Sequence, residues 1–135
     1  MFGIGKKKAK LKEFVNDLEN AVIHIYADKV TIDCKSPSEF DTMKGTYGEL
    51  IVKLTPGVHT IRGIHRTTEI SKNYKTGQIE NEISVEANHE YNFGIYAYSK
   101  EYLEANKDDP RMQYTYYYPM EAHGKKFGII CFIER

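Results

Sequence analysis

A chain of 135 residues and 15.6 kDa accommodates one domain and leaves no room for a multi-domain enzyme built on a long cofactor fold. With 41% hydrophobic and 28% charged residues, and only ten Gly and four Pro, its composition is that of a folded globular protein rather than a disordered or low-complexity one. Nineteen basic residues balance nineteen acidic ones, so no whole-molecule field draws nucleic acid or an anionic membrane, and any such contact is local.

In chain order, Met1 to Lys10 places lysines behind a very short apolar stretch, the reverse of a secretory signal. The expected location is the cytoplasm, unless a signal peptide has been removed. Gly3-Ile4-Gly5-Lys6 lacks both the preceding strand and the following hydroxyl of a phosphate-binding loop and reads as a terminus. Leu11, Phe14, Val15 and Leu18 follow the i, i+3, i+4, i+7 spacing of an amphipathic helix between Lys7 and Asn20. This stripe is expected to dock on the remainder of the protein, because the helix charges run against its dipole. Residues 1–20 are therefore a basic terminus and helix, and residues 21–135 a single β domain.

From Ala21 the apolar period becomes two. Ala21 to Ala27 and Val30 to Lys35 are expected strands, with Val30, Ile32 and Cys34 on one side of the second. Cys34 and Cys131 both fall in the apolar phase and are expected to be reduced and more than half buried. Two cysteines this far apart form no disulfide framework or zinc motif. Ser36 to Gly48 is rich in turn residues. Leu50, Val52 and Leu54 then alternate with Glu49, Ile51 and Lys53 until Pro56-Gly57, where Gly supplies a positive φ.

Val58 to Arg66 continues as a strand into a polar hairpin tip over Thr67 to Gln78. On the return strand Ile79, Asn81, Ile83 and Val85 share one side, and Glu80, Glu82, Ser84 and Glu86 the wet one. Asn88-His89-Glu90 turns into Tyr91 to Tyr98. A short surface helix over Lys100 to Asn106 ends before Asp108-Asp109-Pro110. Met112 to Met120 and Phe127 to Glu134 are the closing strands. About eight short strands with no helical period between them predict a mainly β fold, an antiparallel β-sandwich with a short N-terminal amphipathic helix. No apolar run approaches the roughly 20 residues that span a bilayer, so no integral membrane segment is expected.

Leu54-Thr55-Pro56-Gly57-Val58-His59-Thr60-Ile61, with Ile83 to Tyr91 following, resembles PEGA-like and carboxypeptidase-regulatory-like modules over about Ala21 to Tyr98. The resemblance implies a transthyretin-like β-sandwich with a binding or scaffolding role and supplies no catalytic residues.

Five histidines invite a metal site, but His59 and His65, on one face of a strand, would lie near 20 Å apart at about 3.3 Å per residue, too far to share an ion. No metal or cofactor is expected. Lys6, Lys7, Lys8, Lys10 and Lys12 form a local basic patch capable of weak contact with an anionic surface. Nucleic acid is not an expected partner, since no stacking aromatics are interleaved with these lysines. Neither Gly-x-Ser-x-Gly nor His-Glu-x-x-His occurs, and the chain is read as no enzyme.

The expected function is that of a non-enzymatic binding or scaffolding module. It would recognise another protein, or a second copy of itself, through a sheet edge, the 67–78 hairpin or the tyrosine-rich strand. Lys72, Tyr74 and Lys75 project from that hairpin. Tyr117 is the large residue on the polar side of its strand. The alternative is a small-ligand or carbohydrate-binding module that uses tyrosine stacking. A pocket with converging polar groups favours that alternative or a third, a small hydrolase whose site leaves no local motif.

Overall fold

The architecture comes from a computed structural model, which describes residues 2–66, 78–108, 115–119 and 126–135. Helix α1 (Phe2–Val15) leads into strands β1 (Ala21–Tyr26) and β2 (Asp28–Ile32). A 3-10 turn (Pro37–Glu39) precedes β3 (Thr42–Lys44), β4 (Leu50–Leu54), β5 (Gly57–Ile64) and β6 (Ile79–Val85). Strand β7 (Glu90–Ser99), helix α2 (Lys100–Ala105), β8 (Thr115–Pro119) and β9 (Lys126–Glu134) complete the chain. The strands form a six-stranded sheet, β3-β4-β1-β7-β9-β8, and a three-stranded sheet, β2-β5-β6.

The fold is the expected mainly β sandwich. It departs from the prediction in one pairing: β1 and β7 run parallel, with Ile23 beside Tyr91 and Ile25 beside Phe93. Period-two patterning fixes which face a residue occupies but leaves strand direction open, since a buried strand reads alike in either sense.

Alternation builds the core. Ile23, Ile25, Val52, Leu54, Phe93, Ile95 and Ile130 of the larger sheet meet Ile32, Ile61, Ile79, Ile83 and Val85 of the smaller one. Tyr91 closes one end, its ring 5.3 Å from that of Phe132 and its hydroxyl accepting the Glu86 N–H, so its polar tip is not orphaned. On β6, Ile79, Ile83 and Val85 are buried while Glu80, Glu82 and Ser84 face water, as their phase requires. Gly57 takes φ 127° at the predicted Pro-Gly turn, a conformation only glycine adopts without strain.

The larger sheet is buried on both faces along β1. Val22, His24 and Ile51, all in the phase opposite the core, are almost inaccessible. The C-terminal turns of α1 lie over this face, where Lys53 Nζ sits 4.3 Å above the Phe14 ring and 3.3 Å from Asp17 Oδ2. Leu18 does not join the stripe and is 72% exposed. Asp17 Oδ1 accepts the backbone N–H of Glu19 and Asn20, and this turn ends the helical path before Leu18. The same bonds, led by that from Glu19 and aided by Asn20 and Lys53, hold the Asp17 carboxyl down at about 2.

Cys34 corrects a second expectation. The strand stops at Ile32, and Asp33 and Cys34 turn with φ of 52° and 63°, so Cys34 is exposed. Asp33 drives this turn: its Oδ1 accepts the Thr60 N–H and its Oδ2 meets His59 Nδ1 at 2.6 Å. Cys131 is half-buried on β9, and neither cysteine forms a disulfide.

Candidate functional site

The polar residue in β1, Ala-Val-Ile-His-Ile-Tyr, sets the site. His24 points away from the core, between Ile51 of β4 and Asn92 of β7 in register, into the space beneath α1. A buried imidazole needs hydrogen-bond partners, and distant parts of the chain provide them. Glu49 Oε1 lies 3.3 Å from His24 Nδ1. Glu90 Oε2 makes a short contact with Nε2. Arg135 Nη1 approaches Nε2 at 2.6 Å and donates to Glu90 Oε2 at 3.0 Å. Around this space the cations Lys12 and Arg135 stand with the carboxylates Glu49 and Glu90, so the formal charges of its lining balance. That balance is what allows charges to stand in a largely desolvated place.

Each partner is held by backbone. Glu49 precedes β4 at the end of a turn in which Gly48 N–H donates to Gly45 O and Gly45 N–H to Glu49 O. Its second oxygen accepts the Tyr47 N–H at 2.9 Å. Gly45 is required by space: a Cβ there would stand 1.7 Å from Glu49 Oε1. Glu90 opens β7, and Arg135 N–H donates to its carbonyl at 2.8 Å, which fixes the chain end over the site.

Leu11, Lys12 and Val15 of α1 roof a pocket of about 300 Å³ whose remaining walls include Tyr26, Thr46 and Tyr47 beside the charged cluster. Tyr47 is 71% exposed at the mouth. Arg66 steadies this wall, donating from Nη2 to Tyr47 O at 2.5 Å and standing 5.5 Å from the Tyr26 ring. Burial, followed by the nearby Glu49 charge, raises the Tyr26 hydroxyl above its ordinary pKa, so Tyr26 keeps its proton and can donate.

None of the binding residues singled out in the hairpin and the tyrosine strand is among the described residues that line this pocket. Lys72, Tyr74 and Lys75 lie outside the described residues. Tyr117 is on β8 in register with Ile129, on the far side of the larger sheet from β3. His24, Glu49, Glu90 and Arg135 escaped a local reading because 25, 66 and 111 residues separate His24 from its partners. The signal that could have found them is a histidine in an otherwise apolar strand, which demands a partner.

A second buried histidine has no such setting. His59 Nε2 lies 2.7 Å from the Thr55 carbonyl and Nδ1 faces Asp33, so the ring bridges two turns beside Pro56-Gly57. Among the described residues no group of three His, Cys, Asp or Glu side chains is arranged to hold a metal ion, and no helix is long and apolar enough to cross a membrane. Comparison with known proteins finds no matching family model, no similar curated protein and no similar solved structure.

Proposed function

We propose that this chain is a non-enzymatic binding module whose pocket beneath α1 takes a small, uncharged polyhydroxylated ligand such as a single sugar ring. The observation that carries this reading is the convergence of Glu90, Arg135, Lys12 and the exposed Tyr47 ring on one cavity of about 300 Å³. That volume is at the small end of ligand pockets, roughly 300–1,000 Å³. Lys12 and Arg135 balance Glu49 and Glu90 in the lining, which disfavours a net anion or cation, whereas vicinal hydroxyls both donate to a carboxylate and accept from Arg or Lys. Tyr47 offers a ring face for the apolar side of a pyranose.

A binding rather than catalytic role is supported by the setting of His24, whose ring nitrogens lie against Glu49, Glu90 and Arg135 and so face no nucleophile. Among the described residues Thr46 is the one aliphatic hydroxyl in the lining, and no thiol joins it. Kinship with PEGA-like, transthyretin-like modules and a cytoplasmic setting belong to the same proposal. Recognition of a protein partner through a sheet edge is a second reading, supported by the long, regular outer edge of β6.

Saturation-transfer NMR against a panel of neutral monosaccharides tests the pocket. Weak binding is expected, with Kd on the order of 1 mM, about 4 kcal/mol. Tyr47→Ala should abolish transfer and leave the melting temperature unchanged. Absence of transfer to every neutral monosaccharide would reject the polyol.

A further inference from the structure

Among the described residues the sandwich has four strand edges, and three of them are blunted. Strand β3 is three residues long. Strand β8 ends in Pro119, which has no N–H to offer. Strand β2 shifts register between Asp28 and Thr31, with Lys29 at φ 51°, and such a bulge turns an edge away from further pairing. Strand β6 has none of these devices. Its seven residues pair with β5 in unbroken register from Gly57–Val85 to Gly63–Ile79, and it contains neither Pro nor Gly. Among the described residues no strand pairs with its other side.

What guards β6 is charge. Glu80 and Glu82 are exposed on its wet face, with Glu86 just beyond. Among the described residues no ion pair engages Glu80 or Glu82, and of the β5 residues in register with them, Arg62 stands opposite Glu80 and the uncharged Thr60 opposite Glu82. A second copy pairing edge to edge would set glutamates against glutamates, which is destabilising between strands. The same row attracts a strand of opposite sign. It therefore excludes self-association and selects a partner by one device.

We infer that the free edge of β6 accepts an extended basic peptide segment by strand addition, with Lys or Arg at alternate positions opposite Glu80 and Glu82 and main-chain hydrogen bonds completing a fourth strand of the smaller sheet. This surface belongs to the sheet that does not carry the pocket, and the inference stands whether or not the pocket binds a sugar.

The probe is a short synthetic peptide alternating Lys and Val. Its controls are the Glu-Val counterpart and a Lys-Val peptide N-methylated at every second residue. Binding of the Lys-Val peptide to the full chain should slow hydrogen exchange at β6 amides, weaken as salt rises, and vanish on N-methylation. Glu80→Lys combined with Glu82→Lys should weaken it roughly fivefold to tenfold and confer binding of the Glu-Val peptide. Both positions are exposed, and an unchanged melting temperature verifies the fold of the variant. The inference is overturned if the N-methylated peptide binds equally well, if the exchange footprint falls beneath α1, if neither peptide binds, or if the chain dimerises through β6.

Discussion

At the scale of single residues, the buried histidines show how far a polar side chain depends on what surrounds it. His24 and His59 are both nearly inaccessible, and each meets a carboxylate, but of the two it is His24 that lines the pocket beneath α1. Glycine 45 supports the first arrangement by leaving room for Glu49. Gly45→Ala should displace that carboxylate, leave His24 Nδ1 and Glu49 short of partners, and cost about 1–3 kcal/mol in a denaturant titration. For the second, burial pushes the Asp33 carboxyl up, but the bonds from His59 and the Thr60 N–H outweigh it and leave the carboxyl below its ordinary pKa. A depressed folded-state value means that the stabilisation is present above the unfolded value, about pH 4. It is lost as pH falls through the folded value. Asp33→Asn should flatten this acid limb in a series of melting temperatures against pH, and an unaltered limb would show that other carboxylates govern it.

At the scale of elements, α1 is held by a short anchor rather than by its whole length. Phe14 under Lys53, the Asp17–Lys53 ion pair and the contacts of Leu11 and Val15 around the pocket fall in the last turns and just beyond. Phe14 is half-buried, so Phe14→Ala should cost about 1 kcal/mol, well below the cost of emptying a core site. The effect should be local: faster hydrogen exchange in α1 and unchanged exchange in β1 and β7. Equal acceleration throughout the sheet would show instead that the helix is integral to the core. The first turn of the helix, from Phe2, reads in the sequence as a terminus, but from Lys7 to Val15 the helix was legible by its 3.6-residue spacing. Its end was not, because Leu18 keeps the period while Asp17 captures the next N–H groups in a turn, a contest between local bonds that periodicity does not register. Cys34 was misplaced for the same reason, since Asp33 bonds across to Thr60 and His59 and ends the strand before the alternation does.

At the scale of the whole molecule, the two sheets share one core, at whose centre Phe93 is fully buried. Phe93→Ala should cost about 3–5 kcal/mol and lower the urea midpoint of a single cooperative transition. Loss of one sheet's signal before the other would show that they unfold separately. The fold class, the helix, the wet and buried sides of β6 and the Pro-Gly turn all follow from the sequence by itself, because each depends on neighbours within a few residues and on a period that water imposes directly. Strand direction, the parallel β1–β7 pair and the cluster of His24, Glu49, Glu90 and Arg135 were decided only in the tertiary structure. Those contacts join residues far apart in the chain, and which strand lies beside which is settled by the joint packing of both sheets and α1, a property that no local pattern encodes.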